Sequence, residues 1–135
     1  MQFEGPLDTK TLSAIGAEAV ALLCSGDITA LGARFGYALA HDRDLTTAIQ
    51  EDLSSCLSQL GATSLVPSPP CAPQVKYFTP NSTRLLAAIE CLALADNGTQ
   101  VKVDLVVAGD EFDKHIYLED FHPAFGAADS EGAQT

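Results

Sequence analysis

The chain has 135 residues, 47% of them hydrophobic, and a chain of this size can bury one core but is too short for two ordinary domains. Asp and Glu number 18 against 7 Lys and Arg, and the resulting net charge of -11 disfavours a nucleic-acid partner and suits a basic protein partner. No apolar run reaches the roughly 18 residues that a membrane span needs, and the first residues lack a signal-peptide pattern, so we expect no membrane contact and a cytoplasmic location.

Three amphipathic helices are predicted in the first sixty residues. Each follows an aspartate that can cap it, at Asp8, Asp27 and Asp44, while Gly26 and Gly61 are placed to end the first and the third. Because none is apolar all round, the helices must pack on a core that another element completes. The predicted core-facing positions are Leu12, Ile15, Ala19, Leu22 and Leu23, then Ile28, Leu31, Phe35 and Leu39, then Leu45, Ile49, Leu53, Cys56, Leu57 and Leu60.

A proline-rich connector separates these helices from a set of strands. Pro67, Pro69, Pro70 and Pro73 cannot continue a helix or occupy a central strand, so we expect a stiff connector that leads to a sheet edge. A short strand is then predicted at residues 75–78 and a turn at residues 79–82.

Residues 85–107 predict a long β-hairpin with Asn97 and Gly98 as its turn, because both central residues of a type I′ turn need positive φ. A two-residue loop fixes the register. The expected pairs are Asp96 with Thr99, Leu94 with Val101, Leu92 with Val103, Glu90 with Leu105 and Ala88 with Val107. In that register Glu90 is the one carboxylate among apolar side chains.

A last strand is predicted from Lys114 to Phe121, followed by a flexible tail. Ile116 and Leu118 fall on one face of this strand, and His115, Tyr117, Glu119 and Phe121 fall on the other. We therefore expect one domain over residues 1–126 and a tail over residues 127–135.

This order of elements predicts an α+β fold in which three N-terminal helices pack on a curved, mainly antiparallel sheet of about four strands. Three features carry a resemblance to a known family: the order of elements, residues 22–35 (LLCSGDITALGARF) and the final meander. In these features the chain resembles the cystatin-like superfamily, which includes nuclear transport factor two and ketosteroid isomerase. The resemblance spans about residues 10–122 and implies a cystatin-like roll, commonly a homodimer, with a conical pocket between sheet and helices. It transfers no catalytic motif to this chain.

Glu90 is the first candidate for chemistry. Apolar neighbours would raise its pKa toward the range useful for proton transfer, and the hydroxyl of Tyr77 or Tyr117 could assist a base next to a carbonyl. Alternatively, Glu90 pairs with an arginine, Arg34, Arg43 or Arg84, and serves only packing.

The row of His115, Tyr117 and Glu119 is compatible with a proton relay or a metal site. A metal would need at least one further ligand, and the spacing of Asp120 and His122 is only loosely suitable for one. We therefore treat His115 and Glu119, together with Phe35 of the second helix, as pocket or interface residues. The cysteines form no C-x-x-C pair, so we predict free thiols, no metal and no cofactor.

Three functions remain open. The first is a non-enzymatic binding domain, dimeric, for a small apolar ligand or a protein partner. The second is a cofactor-free isomerase or dehydratase with Glu90 as base, and the third is an acidic inhibitor of a basic protein.

Overall fold

The computed structural model describes residues 2–3, 7–67, 73–79, 84–110 and 113–124. Over these residues it is an α+β fold in which three helices pack against a curled antiparallel sheet, in the shape of a half-barrel. The predicted fold class is confirmed. The sheet has five strands rather than about four, because the short strand Gln2–Phe3 pairs with the last strand of the sheet.

The helices are α1 (Thr9–Cys24), α2 (Ile28–Phe35) and α3 (Leu45–Gln59). All three predicted caps are confirmed: Asp8 accepts a hydrogen bond from the N–H of Thr11, Asp27 from that of Ala30 and Asp44 from that of Thr47. Each aspartate satisfies a backbone donor that the first helical turn would otherwise leave unpaired.

The predicted apolar stripe of the second helix is wrong at Leu39. The helix α2 ends at Phe35, because Gly36 has φ 73° and its N–H donates to the carbonyl of Gly32. A 3-10 turn, Ala38–Ala40, follows and leaves Leu39 40% exposed.

The strands are β1 (Gln2–Phe3), β2 (Gln74–Tyr77), β3 (Leu85–Leu94), β4 (Gln100–Gly109) and β5 (Lys114–Ala124). Their order across the sheet is β1-β5-β4-β3-β2, with every neighbouring pair antiparallel. The strand that follows the proline-rich connector therefore lies at an edge, as predicted.

The turn between β3 and β4 differs from the prediction in type and length. The N–H of Gly98 donates to the carbonyl of Ala95, and the N–H of Ala95 donates to the carbonyl of Thr99. Gly98 has φ 88°, whereas Asn97 does not have positive φ. The loop is thus three residues long, a type I turn completed by a left-handed glycine, and not a type I′ turn.

This longer loop displaces all five predicted hairpin pairs by one residue. Glu90 pairs with Asp104 instead of Leu105. A shift of one residue exchanges the two faces of a strand, so Glu90 points away from the helices. The side chains that face the helices and join the core are Ala87, Ile89, Cys91 and Ala93 of β3 and Val101, Val103, Leu105 and Val107 of β4.

A bulge in β5 also changes the predicted faces of the last strand. Asp104 pairs with Asp120 while Leu105 pairs with Leu118, so Glu119 is the extra residue. Beyond it Phe121 turns toward the helices, where its ring centroid lies 5.7 Å from that of Tyr37. Phe121 therefore does not share a face with His115 and Tyr117.

The remaining sequence predictions concern residues outside the described part of the chain, the cysteines and membrane-spanning helices. Residues 80–82 of the predicted turn, Cys71 and the tail 127–135 lie outside the described residues. Cys24, Cys56 and Cys91 are free thiols, as predicted. Among the described helices, none combines the length and the apolar character needed to cross a membrane.

Candidate functional site

The face of the sheet opposite the helices, here called the outer face, carries a polar row that crosses three strands. Glu90 of β3, Asp104 of β4 and Asp120 of β5 stand next to one another in register. Lys76 of β2 and Lys102 of β4 flank this row. Ionisable groups of both signs are therefore brought together on strands that are otherwise rich in apolar residues.

Glu90 is held by lysines and not by the arginines considered from the sequence. Its carboxylate lies 3.0 Å from Nζ of Lys76 and 3.7 Å from Nζ of Lys102, and its side chain is 21% exposed. The apolar surroundings expected for Glu90 are therefore wrong, because the register differs from the one that predicted them. A role for Glu90 as a base remains a prediction that the structure does not test.

The two candidate tyrosines lie apart from Glu90. Tyr77 is 49% exposed, and its hydroxyl donates to the carbonyl of Leu7 at 2.8 Å, which ties β2 to the segment before α1. Tyr117 pairs with Val106 on the outer face, and burial raises the pKa of its hydroxyl. Within the described part of the chain, neither hydroxyl is hydrogen-bonded to Glu90.

Asp104, Asp120 and His122 form a compact group of ionisable side chains on the outer face. The Nε2 atom of His122 lies 2.9 Å from Oδ2 of Asp120 and 4.0 Å from Oδ2 of Asp104. Asp104 is only 9% exposed. The Oδ1 atoms of both aspartates are buried and have no hydrogen-bond partner in the described structure.

The acid–base properties of this group follow from burial and from the facing carboxyl groups. Burial and the facing carboxyl group of Asp120 together raise the pKa of Asp104 to about 7, against the opposing charge of Lys102. A carboxyl group that titrates near neutral pH can accept or release a proton under ordinary conditions.

The remaining sequence candidates have other surroundings. His115 is exposed, with its Nε2 atom 3.2 Å from Oδ1 of Asp113. Glu119 occupies the bulge, where burial raises its pKa. Phe35 is 2% exposed and belongs to the core. The structure therefore does not bring these three side chains together in one site.

A second feature is a cleft of about 320 Å³ formed by the end of α1, the start of α2, part of α3 and the first residues of the connector, 63–65. Its apolar lining comes from all of these segments and includes Leu23, Ile28, Leu53, Leu57 and Leu65. Polar side chains, among them Gln50, Ser54 and Ser64, also line it. A concave apolar surface with a few polar groups is the usual form of a small-molecule site.

Sequence reasoning missed both features for the same reason. Asp104 is a single acidic residue in an apolar strand, which is a visible signal, but its contact with Asp120 depends on the register and bulge of β5. The cleft is lined by four segments that are separate in the sequence, so no local sequence pattern predicts it.

No family model, no curated protein and no solved structure matches this chain.

Proposed function

We propose that this protein is a non-catalytic binding domain that holds a small apolar ligand in the cleft between α1, α2, α3 and the connector. The observation that carries the proposal is the cleft itself, about 320 Å³ in volume. That volume is at the lower end of the range for ligand pockets, about 300–1,000 Å³, which favours a compact ligand.

The chemistry of the cleft supports an apolar ligand. Leu53 and Leu65 are partly exposed, and burial of their apolar surface by a ligand is favourable by about 25 cal/mol per Å², whereas Leu23, Ile28 and Leu57 are already buried. Cys24 also lines it, and burial raises the pKa of that thiol, so Cys24 offers contact area and not a nucleophile.

The order of helices and strands supports the further proposal that the fold is a cystatin-like roll. On that basis we propose a homodimer, which is common in the superfamily. The ligand site proposed here differs from the pocket that the resemblance implies, because it lies among the helices and the connector and not between the helices and the sheet.

The experiment uses a neutral, environment-sensitive dye, N-phenyl-1-naphthylamine, as the probe. Ser54→Trp places a large ring in the cleft, whereas Ser55→Trp puts the same ring at an exposed position of α3 that does not line it. We expect saturable binding to the parent and to Ser55→Trp, and binding weakened at least about tenfold in Ser54→Trp. Equal binding by both variants, or no binding to the parent, would refute the proposal.

Native mass spectrometry of the gently purified protein offers a second measurement. A small mass that is lost on denaturation supports the cleft, and the same spectrum gives the oligomeric state. A basic polypeptide that co-purifies would instead favour the acidic-inhibitor alternative, for which the net charge of -11 is the observation in favour.

A further inference from the structure

We propose that Asp104, Asp120 and His122 bind a divalent transition-metal ion on the outer face of the sheet. One ligand atom from each of these side chains lies within 4.8 Å of the other two. The three residues come from two neighbouring strands, and the pairing of Asp104 with Asp120 fixes their relative position.

The burial of unpaired oxygen atoms is an independent observation that points to a cation. Asp104 is 9% exposed, and Oδ1 of Asp104 and Oδ1 of Asp120 are buried without a hydrogen-bond donor. Like charges directly opposite one another on neighbouring strands destabilise a sheet. The nearest lysine, Lys102, has its Nζ 3.9 Å from Oδ1 of Asp104, which is beyond hydrogen-bonding distance.

The spacing of the ligand atoms also fits a metal. Bonds of about 2.0–2.1 Å in a tetrahedral site place neighbouring ligand atoms about 3.4 Å apart. Nε2 of His122 lies 2.9 Å from Oδ2 of Asp120 and 4.0 Å from Oδ2 of Asp104, which in each carboxyl group is the oxygen other than the buried Oδ1 atom. Shifts of about half an ångström would equalise these distances, and small side-chain rotations supply them.

The donor set favours zinc, manganese or iron(II) over calcium and magnesium. An imidazole nitrogen beside two carboxylate oxygens suits these ions, whereas calcium and magnesium are hard cations that are bound by oxygen ligands, six to eight of them for calcium. Three protein ligands leave a position for water or another small ligand. His122 is 55% exposed, so an ion has a route from solvent.

The test uses metal-free full-length protein titrated with Co²⁺, whose visible absorption reports coordination number and donor type. We expect one equivalent to bind with a spectrum of nitrogen and oxygen ligands and without a thiolate charge-transfer band. That band would place the ion on cysteine and overturn the proposal. Removal of a residue that only hydrogen-bonds to a metal ligand lowers metal affinity by about 10–100-fold. His122→Ala removes a ligand itself, so it should weaken Co²⁺ binding by at least about 100-fold.

His115→Ala is the matched control, because it removes an exposed histidine from the same strand without touching the three ligands. It should bind Co²⁺ like the parent. Equal loss of binding in both histidine variants, or unchanged binding in His122→Ala, would overturn the proposal.

Thermal unfolding with Zn²⁺ separates ligand loss from misfolding. Asp104→Asn removes one of two facing charges, so in chelator it should unfold at a temperature no lower than the parent. Zn²⁺ should raise the unfolding temperature of the parent but not that of Asp104→Asn, since a ligand stabilises only the state it binds. The same rise in both proteins would show that the ion binds elsewhere.

Discussion

Gly16 is a point of close approach between α1 and β3, and in the substitution Gly16→Ala two known effects on stability oppose each other. Alanine is more favourable than glycine inside a helix by about 1 kcal/mol. A Cβ atom at this position, however, would lie 2.7 Å from Cγ2 of Ile89 and 2.9 Å from Sγ of Cys91. Carbon atoms in contact stay about 3.5 Å apart or more, so the overlap with Ile89 is about 0.8 Å.

The surroundings decide which effect is larger. Ile89 and Cys91 are 0% and 1% exposed and belong to the core, so neither side chain can turn out into solvent to relieve the overlap. Overpacking of a filled core costs about 1–3 kcal/mol, and two contacts below 3.0 Å place this site in the upper part of that range, so about 1–2 kcal/mol remains after the gain in helix propensity is subtracted. We expect Gly16→Ala to lower the free energy of unfolding by about 1–2 kcal/mol, measured by urea denaturation followed by circular dichroism.

Gly32→Ala is the matched control in α2. A Cβ there would lie 3.3 Å from Cβ of Leu45 and 3.4 Å from Cδ1 of Ile49, which needs only a small adjustment. Its stability should stay within about 1 kcal/mol of the parent. If Gly16→Ala proves as stable as the parent, α1 does not rest on β3 at the distance described here.

Two further substitutions test the turn and a polar network. Gly98→Val should cost about 2 kcal/mol in denaturant unfolding, because Gly98 has φ 88° and a β-branched residue is strained there; full stability would exclude the turn. Asp52→Asn should cost about 1–2 kcal/mol at neutral pH, since the Asp52 carboxylate binds Arg43 through two hydrogen bonds and accepts one from the Tyr37 hydroxyl. Arg43 lowers the pKa of Asp52 in the folded protein. The stability that the Asp52 carboxylate contributes is therefore complete above its ordinary pKa of about 4, and it is lost progressively as the pH falls from that value through the lowered pKa. The difference in unfolding free energy between parent and variant should therefore shrink on acidification, and an increase would contradict the assignment.

The helices were predictable because their signals are local. Asp8, Asp27 and Asp44 each cap the helix that follows them in the chain. An N-cap involves residues only three positions apart, so no tertiary contact can displace it easily. Leu39 was assigned wrongly because the left-handed conformation of Gly36 ends α2 before the apolar period does.

The hairpin register was not predictable from the same kind of signal. An Asn-Gly pair serves both a two-residue type I′ turn and the three-residue turn observed here, since Gly98 has positive φ in either case. Hydrophobic alternation did not separate the alternatives either, because Leu92 and Leu94 on the outer face are as apolar as Ile89 in the core. The predicted register therefore placed Glu90 on the wrong face of β3.

The group of Asp104, Asp120 and His122 depends on contacts between residues far apart in sequence. The register of β4 against β5 must be correct before Asp104 meets Asp120, and that register contains the bulge at Glu119. The sequence could identify each ionisable residue, but it could not show that two carboxyl groups would share a buried position.

The short strands at both edges of the sheet have a consequence for aggregation. If the short strands were absent, the long strands β3 and β5 would form the edges of the sheet. Each would then present a row of unpaired backbone N–H and C=O groups, to which strands of other chains could add. β2 pairs with residues 87–90 of β3, and Leu65 bridges to Ala95 just beyond the strand. On the other side β1 and Tyr37 each pair with a part of β5. Four short segments thus interrupt both edges, so chains at high concentration would have little continuous backbone on which to polymerise.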